Sequence, residues 1–459
     1  MFKLTTSPFI PTIPESIHFH PLRIEGGRRL SGAWHVQGSK NEAVMAIAAA
    51  ALTTEVVTIE NVPRLTDIHV QLQLLRGFGA RVEYKTPNTV CIQVADIDID
   101  FLVTADFRML FGAIRGSLNL IAPLLIRTGK AKVPQPGGDQ IGDRKLDCLI
   151  STLSQLGVRF EHFAETNSLE VNYPEYDSNP NIRVYLPEAS VISTASAMMA
   201  ASCRAGGVTE IINAASEPHL AGLARMLNGM GASISGIGTN QLCVVGVSEI
   251  GGVSHRLGSD LIEAGSVIAL AGATQSSIKL VDLEQVDLNP MIAPFRTLGI
   301  SIETSGSTII ATGEGGRLIQ SSFDGGLRRF DDAPWPGFPT DLICQAIATS
   351  ISASGELLFF SRMYERRLAF SSQLKKFGAN VQERGRHELL VYGLGAPERL
   401  SPTRVYANDI RSSAALLITA LSTSGTSVLQ ESGQLARGHE DFLNRLQAIG
   451  ACISHCSEF

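Results

Sequence analysis

The feature that most limits what this chain can fold into is a short phrase that recurs six times along its 459 residues. Each copy runs from a helix-like apolar spacing through a glycine and a small residue into strand-like alternation: LLRGFGARVE, LSQLGVRFE, LNGMGASIS, FRTLGISIE, LKKFGANVQ and LQAIGACIS. The glycines are Gly79, Gly157, Gly231, Gly299, Gly378 and Gly450, spaced 68 to 79 residues apart, so the chain reads as six similar units. The physical logic is a helix ended by glycine in the left-handed conformation, followed at once by a strand that returns along a sheet. A second helix per unit is rich in small residues, as in AVMAIAAAALTT, ASAMMAASCRAGG, VIALAGATQSS, CQAIATSISASG and AALLITALSTSG. Small side chains let neighbouring backbones approach closely, so these helices belong in the middle of a domain with sheets outside. Units of this length are too long for short solenoid repeats of about 20–50 residues and describe an α/β protein. Three units per globule predict two domains. Between the third and fourth units, IGGVSHRLGSD, near residues 250–260, is the stretch where a crossing between domains is sought.

Composition supports large cores: 44% of residues are hydrophobic and 18% charged. A net charge of -6 excludes a basic field over a whole face, and with it non-specific nucleic-acid binding. Any anionic ligand must then be held by local clusters of arginine and lysine. The seven cysteines, an odd and scattered count, do not form a disulfide framework and fit a reducing cytoplasm. The pair Cys452 and Cys456 beside His455 lacks a second ligand pair with finger-like spacing, and the two cysteines are expected to be free thiols on a C-terminal strand and tail; no metal is expected. Pro8, Pro11 and Pro14 interrupt the apolar run an export signal needs, and residues 1 to about 21 are expected to form an irregular extension. No run of about 18 apolar residues predicts a membrane span.

Certain charged residues stand where packing would not place them. Ser39 is a candidate N-cap, and Lys40 falls in the first turn of a small-residue helix, where the dipole disfavours a cation unless an anion is the intended ligand. Arg115 falls on the apolar, helix-like FGAIRGSLNLIAPLL, where burial is costly without an anionic partner. Arg144 follows the double-glycine loop PGGDQIGDR, Arg367 ends YERR, Arg411 lies in NDIRSS and Arg437 in ARGH. Guanidinium forks grip carboxylate and phosphate oxygens in pairs, so five arginines and a lysine point to a small, densely anionic ligand held between two domains. Asp341, after the stiff approach PWPGFPT, stands at the start of a small-residue helix, either as N-cap or as a firmly held base. Asp260 has the same place one unit earlier and is expected to be structural.

Together GSKNEAV, ENVPRLTDI, IRGSLNLIAPLLIRTG, PGGDQIGDR, GFPTD, MYERR, NDIRSSAALL and ARGHE resemble, in this order, the enolpyruvyl transferases, and within them the members whose acceptor is UDP-N-acetylglucosamine; the resemblance runs from about residue 22 to 455. It implies a two-domain inside-out α/β barrel of six βαβαββ-like repeats, three per domain. It also implies that residues 1–39 and 258–459 form the catalytic domain and 40–257 a second domain, carrying a mobile lid over about 134–145. The implied reaction moves the enolpyruvyl group of phosphoenolpyruvate to the sugar 3-hydroxyl by addition and elimination, releasing phosphate, without cofactor or metal, as the first committed step of peptidoglycan synthesis. Lys40, Arg144, Arg367, Arg411 and Arg437 would hold phosphoenolpyruvate, with Arg115 near the nucleotide-sugar phosphates and Asn41 on the sugar. Leu146, Asp147, Ser190 and Val191 would line the nucleotide. Asp341 would accept the hydroxyl proton.

The lid tip, usually a cysteine in this family, is Asp139 here. An aspartic acid can deliver a proton to the methylene carbon of phosphoenolpyruvate where burial and neighbouring negative charge keep it protonated. Its presence implies resistance to fosfomycin, an epoxide that alkylates the thiol. The nucleotide loops depart from the family at Lys145, Glu188 and Ile192, and His439 stands where a tyrosine is common. An anion at Glu188 in place of a cation weakens the hold on a diphosphate. Another nucleotide or sugar acceptor, 3-phosphoshikimate less readily, and a catalytically silent nucleotide-sugar binder stay open beside the first expectation.

Overall fold

The computed structural model describes residues 21–163, 168–172, 181–284, 287–430 and 432–456. The expected N-terminal extension falls almost wholly outside them. Each repeated phrase folds as the glycine spacing requires. The helices Thr66–Gly77, Asp147–Gln155, Pro218–Gly229, Asn289–Thr297, Ser371–Lys376 and Phe442–Ala448 all end two residues before their glycine. All six glycines have positive φ, from 77° at Gly299 to 113° at Gly231. That conformation brings the next N–H back onto the last turn: Ala80 donates to the Leu75 carbonyl and Ala451 to that of Leu446, at 2.9 and 3.0 Å. A strand then starts two residues after each glycine, at Arg81, Arg159, Ser233, Ser301, Asn380 and Cys452.

By internal contacts the chain divides into two compact units. Among the described residues, one comprises Gly38–Gly138 and Arg144–Gly258; the other takes the residues up to Gln37, Asp139–Asp143 and those from Ser259 onward. Each unit has three sheets. The five four-stranded sheets share one pattern, a parallel pair extended by two antiparallel neighbours. In Arg328–Asp331, Ser354–Phe360, Asn380–Glu383 and Glu388–Leu394, for example, the first two strands are parallel and joined through the helix Ile343–Ser350. That is a βαβαββ unit. Three of the six are split: Ser31–His35 pairs in parallel with Ser277–Val281, Ser254–Arg256 with Val57–Glu60, and Leu22–Gly26 lies antiparallel between Gly425–Gln430 and Cys452–His455. The first unit is thus an insertion into the second, and the chain leaves at Gln37 and returns after Gly258.

The small-residue helices lie inside. Val191–Ser202, Leu261–Ala273 and Ile410–Ser422 are buried along nearly their whole length, and in the second unit Leu261–Ala273, Ile343–Ser350 and Ile410–Ser422 pack on one another. Their composition is a steric requirement: a Cβ on Gly272 would stand 2.5 Å from Thr349 Oγ1. Among the described residues no sheet closes on itself; the barrel character is that of sheets arranged outside central helices, in strands that alternate buried and exposed positions.

The apolar segment around Arg115 is not one helix. The helix Ala105–Ala113 stops, Arg115–Leu120 forms a 3-10 turn, and a new helix, Ile121–Thr128, starts at a bend of 114°. The break lies at Ile114, whose extended backbone (φ -135°, ψ 148°) interrupts the helical path between Ala113 and Arg115. Arg115 therefore opens a turn and is half-buried rather than enclosed. Among the described residues no single helix is long and apolar enough to cross a membrane.

Candidate active site

In the second unit, three of the singled-out residues form one network. Asp341 lies in the 3-10 turn Thr340–Leu342, ahead of the helix Ile343–Ser350, whose N-cap position is taken by Leu342. It therefore does not cap the helix. Its Oδ1 accepts from Arg367 Nη2 at 2.9 Å and its Oδ2 from Arg411 Nη2 at 2.6 Å. Both guanidiniums are buried, at 3% and 6% exposure, whereas the Asp341 side chain keeps 26%. A solute can reach this carboxylate. Burial, the largest single influence, weakens the arginines' hold on their protons, but Asp341 together with Cys344, Asp409 and Tyr364 around Arg367, and with Asp260 around Arg411, keeps both above the ordinary guanidinium range. Asp409 caps the helix Ile410–Ser422 through the N–H groups of Arg411 and Ser412, and its Oδ1 lies 3.8 Å from Arg367 Nη1. Even so, Nε and Nη1 of Arg367 make no hydrogen bond among the described residues. Buried donors of this kind are nearly always satisfied, so two N–H groups beside an accessible carboxylate describe a place for an anion.

Asp139 belongs to the same unit. Asp139 Oδ1 accepts from Arg437 Nη1 at 2.7 Å, and the same nitrogen donates to Gln434 Oε1 at 2.8 Å. Further along, the Asp143 N–H donates to Glu365 Oε1 at 2.8 Å and the Arg366 N–H to the Ile141 carbonyl at 3.0 Å. Gly142 allows this docking, because a Cβ there would sit 2.4 Å from Glu365 Oε2.

The first unit holds the rest. Ser39 caps the helix Lys40–Ala49 by accepting from the Glu42 N–H, and Lys40 occupies its first turn as expected. Lys40 Nζ lies 2.7 Å from Asp67 Oδ2, both side chains nearly buried. Asn41 follows, half-buried. Arg115 donates to the Arg144 carbonyl at 2.6 Å, so these two arginines meet side chain to main chain. Leu146 and Asp147 open the helix Asp147–Gln155, and Ser190 caps Val191–Ser202 by accepting from the Ser193 N–H at 3.3 Å. Lys145 and Glu188 are exposed. His439 is buried and stacked on Phe442, ring centroids 4.5 Å apart.

Among the described residues no group of three or more His, Cys, Asp or Glu side chains could hold a metal ion, and all seven cysteines are free. Cys452 lies on the last strand, its Sγ 3.2 Å from Glu25 Oε2.

The family model for EPSP synthase (3-phosphoshikimate 1-carboxyvinyltransferase) matches residues 24–446. The chain belongs to the EPSP synthase family. It is 38% identical over 431 residues to a UDP-N-acetylglucosamine 1-carboxyvinyltransferase of Bacteroides thetaiotaomicron, covering 94% of this chain and 98% of that one. It is likewise 38% identical over 440 residues to the protein of that name from Bradyrhizobium diazoefficiens, covering 95% and 98%. Among solved structures it resembles the enolpyruvyl transferase NikO from Streptomyces tendae, with a TM-score of 0.81 at 22% identity over 96% of this chain and 99% of that one. It also resembles the EPSP synthase of Acinetobacter baumannii, at 0.69 and 16% over 95% and 100%. These two likenesses bear on the fold, which is that of the enolpyruvyl transferases.

Within this EPSP synthase family member, the residues that pattern-reading missed are acids. Asp67 and Asp409 each sit at a helix start, where an aspartate is routine, and only the cation opposite distinguishes them. Glu365, which accepts from the Asp143 N–H, stands in YERR among arginines. A helix-start acid one repeat-element away from an unexplained cation was the available signal.

Proposed function

We propose that the chain is a UDP-N-acetylglucosamine 1-carboxyvinyltransferase, which moves the enolpyruvyl group of phosphoenolpyruvate onto the sugar 3-hydroxyl and releases phosphate. The observation that carries the site assignment is Arg367, buried with two N–H groups to spare beside the accessible Asp341. Phosphoenolpyruvate, a carboxylate and a phosphate on a three-carbon frame, matches such donors. In this reading Arg367, Arg411, Arg437, Arg144 and Lys40 hold it, while Asn41, Arg115, Leu146, Asp147, Ser190 and Val191 bind the nucleotide sugar.

Each acid then exchanges partners as the anion arrives. Asp341 is paired with two arginines and Asp139 with one. An incoming carboxylate or phosphate competes for those guanidiniums, and the proton affinity of the acids it displaces rises. Asp341 can then take the proton from the attacking 3-hydroxyl as its oxygen bonds to C2 of phosphoenolpyruvate. Asp139 supplies a proton to the methylene carbon. Loss of a proton from that carbon with departure of phosphate restores the double bond, so no net proton is consumed at carbon. Cell-wall synthesis in the cytoplasm is the setting this implies.

The test is phosphate release. Protein mixed with phosphoenolpyruvate and UDP-N-acetylglucosamine releases phosphate, and 3-phosphoshikimate does not substitute. Release only with 3-phosphoshikimate or a different nucleotide sugar refutes the acceptor. No release with any acceptor refutes the enzyme.

A further inference from the structure

Asp332 follows the strand Arg328–Asp331 and is entirely buried, and among the described residues no lysine or arginine stands within ion-pair distance of it. A carboxylate withdrawn from water without a cation costs several kcal/mol and persists only where hydrogen-bond donors compensate it. Here the Arg362 N–H and the Ser361 hydroxyl belong to one turn. Oδ1 accepts the Arg362 N–H, and Oδ2 accepts the Ser361 hydroxyl at 3.3 Å, shared with the Tyr364 carbonyl at 3.1 Å. Burial pushes the carboxyl above its ordinary range, and the Thr340 hydroxyl, the N–H groups of Arg362 and Met363 and the Arg367 charge work against that rise.

The turn carries three things that matter. The Arg367 N–H closes it onto the Tyr364 carbonyl at 3.3 Å, and the Arg367 guanidinium lies 5.3 Å over the Tyr364 ring on its way to Asp341. Glu365 and the Arg366 N–H hold residues 143 and 141 of the lid tip. Its base is fastened as well, since Ser361 and His387 exchange main-chain and ring hydrogen bonds of 2.8 and 2.6 Å. One buried carboxylate therefore sits at the root of both the anion-binding arginine and the docking of the lid.

We propose that Asp332 is a positioning residue: by fixing the turn from Ser361 to Arg367 it sets the Arg367 guanidinium for the anion and holds the seat on which residues 141–143 dock. It touches no substrate, and the proposal rests on the reading of Arg367 as a phosphoenolpyruvate ligand. Asparagine has the same shape but turns an amide NH2 toward donors of the turn, so it cannot satisfy both.

The experiment measures phosphoenolpyruvate binding by calorimetry, together with the steady-state constants for each substrate and the melting temperature, in wild type, Asp332→Asn and Asp332→Glu. Asp332→Asn is expected to weaken phosphoenolpyruvate binding by about 10–100-fold, as outer-layer partners of a ligand commonly do, while the KM for the nucleotide sugar stays within twofold. Asp332→Glu keeps the charge but moves it by one methylene, and it shows the same selective loss to a smaller extent; it decides the matter if the asparagine variant does not fold. Unchanged phosphoenolpyruvate affinity, or loss for both substrates in step with a lower melting temperature, overturns the proposal. A wild type that binds phosphoenolpyruvate yet releases no phosphate with UDP-N-acetylglucosamine refutes the acceptor and leaves this comparison intact.

Discussion

Asp260 and Asp341 begin equivalent inner helices in successive repeats of the same unit, and they do different work. After Asp260 the helix starts at once, and its carboxylate folds back onto the N–H groups of Ile262 and Glu263 at 2.9 and 3.0 Å. Before Asp341 come Pro334, Pro336 and Pro339, and a 3-10 turn is inserted ahead of the helix. Capping passes to Leu342, which has no side chain to do it, and the Asp341 carboxylate is left for Arg367 and Arg411. A repeat architecture thus makes a site by displacing one residue within a turn that its sister repeat uses for stability.

The sharpest way to break the contrast is Asp341→Asn. It removes the base yet keeps an acceptor for one arginine, and kcat should fall toward about 10⁴-fold, the upper end for a lost general base. An unchanged kcat in the phosphate-release assay would make Asp341 structural like its sister. Asp139→Asn should lower kcat by at least about 10²-fold with nucleotide-sugar binding retained. Asp139→Cys should recover part of the rate and become sensitive to fosfomycin. If both variants keep the wild-type rate, the lid tip delivers no proton.

Arg367→Lys preserves the charge but removes the fork, so the KM for phosphoenolpyruvate should rise roughly tenfold to a hundredfold, the loss of one charge-assisted hydrogen bond. At the structural helix start, Asp260→Ala should cost about 1 kcal/mol of stability, read as a lower denaturant midpoint, with kinetics unchanged. Altered kcat there would erase the distinction between the two acids.

A pH slope is expected at Glu263, beside Asp260. Burial pushes its carboxyl up from 4.5 to about 7, opposed by Arg445 and the Gln37 N–H and reinforced by the Asp260 charge. The folded protein holds this proton more tightly than the unfolded chain. Its contribution to stability is complete below pH 4.5 and is lost as pH rises through about 7. Glu263→Gln should flatten that dependence in melts between those limits, and an unaltered slope would contradict it.

The six glycines were legible because a left-handed helix end is a local demand of the backbone, met within a few residues of Gly79 as of Gly450. Lys40 in a first turn and Ser39 as its cap were legible for the same reason. Arg115 reads as part of one helix because apolar periodicity continues across the break at Ile114. Asp332 was invisible: its partners Ser361 and Arg362 are about 30 residues away, in the turn that follows another strand.

By itself the sequence determined the repeat, the backbone handedness at each helix end and the stock of arginines and acids. Tertiary structure alone decided which acid meets which arginine: Asp341 is 26 residues from Arg367 and 70 from Arg411 along the chain. Hydrogen bonds and ion pairs act over a few ångströms, and that proximity comes only from the packing of inner helices whose small residues let them close on one another.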